Sequence, residues 1–149
     1  MWPAGSETEH DAPALPERRL NLPERARLAA EIVTAWVHAR RAIRALPLTA
    51  TVARMREPGN GWVSSTACSA EAHRLARAVV LTLGPLPGDT RCLARSLALT
   101  RVLARRAIPS TLVIGARTRP GFLAHAWVEH EGQALLDPGE GRFERLVEL

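Results

Sequence analysis

The sequence predicts an α+β fold: a helical N-terminal half, then a nucleophile-bearing helix packed on a small antiparallel sheet. Apolar residues recur at helical spacing as far as about Ala107, and the period shortens toward two from Thr111 onward. Ile108-Pro109 separates the two regimes. Helices first and short strands afterwards define the class.

The 149 residues suit one domain with enough chain to bury a core. No apolar run approaches the roughly 18–20 residues of a membrane span. The N-terminus carries acidic residues and prolines where a signal peptide needs a basic patch and an apolar stretch. The expectation is a cytoplasmic protein with no membrane partner. All 20 basic residues are arginine, and the net charge is +5. A solvated surface in a composition biased toward Arg, Ala and Pro explains this most simply; the functional alternative is a basic face for an acidic peptide or partner protein. Nucleic acid is not expected, because aromatics make up only 4% of the chain and do not interleave with the arginines. The two cysteines, Cys68 and Cys92, form no CxxC pair, which argues against structural zinc. No metal or cofactor is expected.

Residues 1–20 are rich in Pro, Glu and small residues and read as a poorly ordered segment ahead of one domain spanning 21–149. Within that domain, 21–67 form a helical front half and 68–149 the core that carries the chemistry. Asn21-Leu22-Pro23-Glu24 is a helix start, with Asn as N-cap, Pro in the first turn and Glu at the positive end of the dipole. Leu28, Ile32, Trp36, Ala39, Ile43 and Leu46 form its apolar stripe, His38 lies on its surface, and Pro47 ends it. A short helix is expected over Thr49 to Arg56, broken by Pro58-Gly59-Asn60-Gly61. Trp62 to Ala67 reads as a loop or irregular strand. A third helix is expected over Ala70 to Leu83, with Ser69 as N-cap and Ala72, Leu75, Ala76, Val79 and Leu83 inward. Cys68, just before it, reads as a small buried thiol, and His73 as exposed. Gly84 to Asp89 is a turn-rich connector. It delivers the chain to a fourth helix, Arg91 to about Ala107, on which Cys92, Ser96, Leu99 and Leu103 share one face. Strands are expected at Thr111–Gly115, Ala124–Glu129, Ala134–Asp137 and Phe143–Val147, arranged as an antiparallel meander.

Three residues then stand in the order of a cysteine-nucleophile site. Cysteine attacks as thiolate, and its pKa falls at a helix N-terminus and beside an imidazolium. Cys92 meets the first condition, and Arg91 adds positive field. His125 lies on a strand able to pack against that helix. Asp137 follows across a short turn, where cross-strand neighbours approach to about 4.5–5.5 Å. Nucleophile, base and orienter are the three roles of triad logic. The backbone N–H of Cys92 is the natural oxyanion donor. Against this, a lone Cys on a helix face is usually core, and a His between alanines is often a satisfied core residue. His130 is a weaker base candidate, because alternation turns it to the opposite face and the Glu131-Gly132 turn suggests exposure. Asp89 is a rival orienter that fits a turn or cap better.

The runs Cys92 to Leu99, Arg106 to Arg117, Ala124 to Glu129 and Leu136-Asp137 resemble the lasso-peptide biosynthesis B proteins, whose C-terminal domain is a transglutaminase-like, papain-like cysteine peptidase. Asn21 to Arg56 is similar to the helical front half of that family. The resemblance implies Cys92 as nucleophile, His125 as acid and base, and Asp137 as orienter. It further implies a leader peptidase, which releases the core of a ribosomally made precursor peptide for a downstream cyclase. Some members carry a fused leader-recognition domain. The expectation here is the stand-alone peptidase half, acting with a separate leader-recognition protein and a lasso cyclase. Family substrates usually carry Thr at the penultimate leader position, which implies a small pocket near Cys92. Two other readings remain open at this stage: a transglutaminase-like acyltransferase to an amine, and a non-catalytic scaffold that docks the precursor or cyclase.

Overall fold

A computed structural model describes residues 20–57, 65–85, 91–139 and 142–149. The expected disordered segment up to residue 19, the Pro58–Gly61 break and the connector from Leu86, Asp89 included, lie outside the described residues. The fold is α+β: four helices precede a four-stranded antiparallel sheet among the described residues.

The helix α1 spans Leu22–Ala45 and begins where its capping chemistry dictates. Asn21 Oδ1 accepts the Glu24 N–H at 3.0 Å, and the Glu24 carboxylate accepts the Asn21 N–H at 3.0 Å, a reciprocal capping box. Its stripe is buried at Leu28, Ile32 and Ala39, with Trp36, Ile43 and Leu46 packed on the core; His38 is exposed. The short α2, Leu48–Met55, follows at once. The third helix differs from expectation. It spans Ser65–Leu83, so Ser69 and Cys68 lie inside it, and Ser65 to Ala67 are helical rather than loop. Helix-tolerant Ala and Glu dominate the segment after Cys68, and nothing between Ser65 and Ser69 breaks the spiral. Its five expected inward residues are all buried, as is Cys68, and His73 is exposed.

The fourth helix, α4, spans Arg91–Ala104 and stops about a turn earlier than its apolar period suggests. Ile108 N–H reaches back to Leu103 O at 3.1 Å and Ala107 N–H to Ala104 O at 3.0 Å. That is a Schellman closure, with Ala107 in the left-handed region at φ 54°. Residues Ala94 and Ser96 through Thr100 are buried, because α4 packs against α1, α2, α3 and the sheet at once.

The strands are β1 (Thr111–Arg117), β2 (Leu123–His130), β3 (Gln133–Ala134) and β4 (Glu144–Glu148). They lie in the order β3-β2-β1-β4. The sheet is therefore no simple meander: β4 returns to the far side and pairs with β1, placing Gly115 between His125 and Arg145. The third strand is shorter than expected. Leu135 N–H still bonds Val128 O at 2.8 Å, but Leu135 and Leu136 then sink into the core and Pro138 offers no N–H to continue the ladder. Asp137 consequently lies beyond the strand. His130 also departs from expectation. It is 4% exposed, with Nδ1 2.7 Å from the Pro109 carbonyl, because the alternation that turns it from His125 places it with buried Ala126 and Val128.

Candidate active site

Cys92 sits in the first turn of α4 as a free, half-buried thiol. No acidic residue lies in the first turn of α4, so the positive end of the helix dipole is not offset from within the helix. One turn later, buried Ser96 donates its Oγ hydrogen to the Ala126 carbonyl at 3.0 Å. That bond fastens the turn after Cys92 to the strand residue beside His125. Thr100 in turn donates to Ser96 O at 3.0 Å. Ser96 appeared in the sequence only as a residue on the Cys92 face.

His125 is half-buried on β2 and held from several sides. Its ring stacks with Trp127 at 6.2 Å between centroids and 19° between planes, and meets Phe143 at 5.6 Å in a tilted arrangement. Alternation along β2 puts Trp127 on the His125 face; Phe143 stands out in the sequence only as the start of the fourth strand. The Arg117 guanidinium lies over the Phe143 ring, 5.5 Å from its centroid. Gly115 makes this packing feasible, since a Cβ there would stand 2.9 Å from both the Trp127 indole and Phe143 Cβ. Trp127 Nε1 donates to Glu129 at 2.8 Å, and Glu129 pairs with Arg145 at 2.9 Å. The hydrogen bond from Arg145 to the Glu129 carboxylate raises the Arg145 pKa above its ordinary value.

The structure brings His125 and Asp137 together through the main chain. His125 Nε2 lies 2.9 Å from the Asp137 carbonyl oxygen. A carbonyl only accepts, so Nε2 carries the hydrogen, and in the neutral ring Nδ1 is then the nitrogen with the lone pair. The Asp137 carboxylate is engaged elsewhere: Oδ1 accepts the Gly139 N–H at 2.9 Å. Among the described residues, the Cys92 sulfur makes no hydrogen bond. No group of three or more His, Cys, Asp or Glu is placed to hold a metal ion among the described residues.

Four helices followed by a small antiparallel sheet define a class of fold, and the thiol, the imidazole and the Asp are carried on a helix, a strand and the following turn of it. The family model of the transglutaminase-like superfamily matches residues 21–148, and the chain belongs to that superfamily. Over 46 residues it is also 52% identical to the Microcin J25-processing protein McjB of Escherichia coli. That match covers 31% of this chain and 22% of the relative's length. No solved structure is significantly similar. No helix of the described residues is long and apolar enough to cross a membrane.

Proposed function

We propose that the protein is a cysteine peptidase that removes the leader from a lasso-peptide precursor, with Cys92 as nucleophile, His125 as acid and base, and Asp137 as orienter. The observation that carries the reading is the His125 ring. Its Nε2–H is committed to the Asp137 carbonyl, which leaves Nδ1 as the basic nitrogen on a ring fixed by Trp127 and Phe143. Membership of the transglutaminase-like superfamily and the partial likeness to a microcin-processing protein support this reading.

In this reading Nδ1 takes the Cys92 thiol proton, and the thiolate so formed is the nucleophile. The sulfur attacks the carbonyl carbon of the last leader residue, and the C=O electron pair moves onto oxygen. Backbone N–H groups of the first α4 turn receive that oxyanion. The tetrahedral centre collapses, the C–N bond breaks, and the imidazolium gives its proton to the departing core amine. A thioester remains on Cys92. His125 then takes a proton from water as hydroxide adds to the thioester, and the leader leaves as a carboxylic acid while the thiol reforms. A separate leader-recognition protein would present the precursor, and a lasso cyclase would take up the freed core amine.

The test is an incubation of the protein, a precursor peptide and the recognition partner, with the products weighed by mass spectrometry. One cut at the leader–core junction, absent with Cys92→Ala, is the expected result. A leader found joined to an added amine instead would favour the acyltransferase reading. Cleavage surviving Cys92→Ala would leave the chain as a scaffold.

A further inference from the structure

The face of β2 that carries His125 passes from open to covered along the strand. Side chains two apart share a face, so Leu123, His125 and Trp127 line one side. Exposure falls from 46% at Leu123 to 4% at Trp127, with His125 half-buried between them. Leu123 stands opposite Arg117, and residues 118–122 close the hairpin. Every residue from Thr118 to Ala124 is exposed, Phe122 at 77%. A Cβ built on Gly121 would meet no atom within 4 Å, so the turn is open on that side. Single apolar residues on a surface are ordinary. Two large ones in succession, running on from the imidazole, mark a contact surface.

The chemistry of the site says which part of a ligand comes here. In the peptidase reading, on which this inference rests, His125 gives its proton to the departing amine. The imidazole then lies on the leaving-group side of the Cys92 sulfur, and the core segment after the broken bond runs past His125. Strands rise about 3.3 Å per residue, so Leu123 lies about 7 Å from His125 along β2, the length of two residues of an extended peptide. We propose that Phe122 and Leu123 are specificity-determining residues that hold the first few residues of the core peptide. An apolar side chain two or three positions after the scissile bond rests on them. Both residues are largely solvated in the free protein, so the gain is apolar surface removed from water when the peptide lands.

The experiment compares the full chain as wild type, as Phe122→Ser with Leu123→Ser, and as the apolar pair Phe122→Leu with Leu123→Met. Two synthetic precursor peptides are cut in the presence of the recognition partner. One has a complete core with Leu at its second and third positions, and the other ends at the first core residue. On the longer peptide the serine variant is expected to raise KM about tenfold with kcat within about twofold, and the apolar pair to stay within about threefold of wild type. On the shorter peptide the three proteins are expected to agree within about twofold. Equal losses on both peptides would overturn the proposal, since misfolding, a leader-side contact or lost docking of the recognition protein affects both alike. An unchanged KM for the serine variant on the longer peptide would overturn it as well. A second measurement needs no turnover: fluorescence anisotropy of the same core, labelled with fluorescein, on Cys92→Ala protein. Its binding is expected to weaken about tenfold when Phe122→Ser and Leu123→Ser are added. Should wild type cut neither peptide, the peptidase reading fails, and the anisotropy decides the hairpin alone: unchanged binding overturns its role.

Discussion

Cys92 and His125 owe their readability to position. A thiol one residue into a helix and a His two residues before Trp127 on an alternating strand are patterns that spacing alone exposes. What spacing does not expose is which atom of a residue faces inward. Asp137 falls in the right place by sequence, yet it meets the ring with its carbonyl and turns its carboxylate to Gly139. Strand alternation fixes faces only while a strand lasts, and β3 ends before Asp137. Cys92→Ala is expected to lower turnover by at least about a thousandfold. It should change unfolding free energy by under about 1 kcal/mol, since a half-buried sulfur leaves a small void. Parallel peptide-cleavage and urea-denaturation measurements check both halves, and an unfolded Cys92→Ala protein would make the thiol a core residue instead. Ser96→Ala removes the hydroxyl that latches α4 to Ala126. It should cost about 1–2 kcal/mol, because the Ala126 carbonyl loses a buried donor. Denaturant midpoints at constant slope would report it.

Among the elements, α1 was the easiest to delimit, since Asn21, Pro23 and Glu24 each serve a distinct function at its first turn. Both ends of α4 depend on more than propensity. Its apolar period runs on past Ala104, but the backbone closes there on Leu103 and Ala104 with Ala107 left-handed. Alanine is a poor residue for φ 54°, where glycine carries no Cβ penalty. Ala107→Gly should therefore stabilise the protein by about 0.5–1 kcal/mol, read as a higher melting temperature. A lower one would mean that entropy gained by the unfolded chain outweighs the relief of strain. The early start of α3 and the return of β4 to β1 were hidden for a different reason. Neither the exact first residue of a helix nor the partner of an edge strand is encoded in local pattern.

At the scale of the whole molecule, α4 joins the helical layer to the sheet. Arg106 binds Glu31 of α1 through two hydrogen bonds of 2.9 Å each and bonds Val102 O as well. This is an ion pair in fork geometry with both side chains mostly covered, at 27% and 19% exposure. Glu31→Gln should lower stability by about 1 kcal/mol, and less at high salt, while leaving Cys92 alkylation unchanged. Guanidinium-free unfolding at two ionic strengths checks it. The arginine-rich composition thus has a structural share that charge counting did not resolve: Arg106, Arg74 and Arg145 each pair with a glutamate. The central claim concerns one covalent bond, between Cys92 and the acyl group of a peptide. It is tested most directly by mixing the protein with a precursor peptide, quenching rapidly in acid and weighing the intact protein. A transient adduct is predicted with the mass of the freed leader less one water, mapping to the Cys92 peptide and absent in Cys92→Ala. Cleavage with no adduct, undiminished in Cys92→Ala, would contradict it.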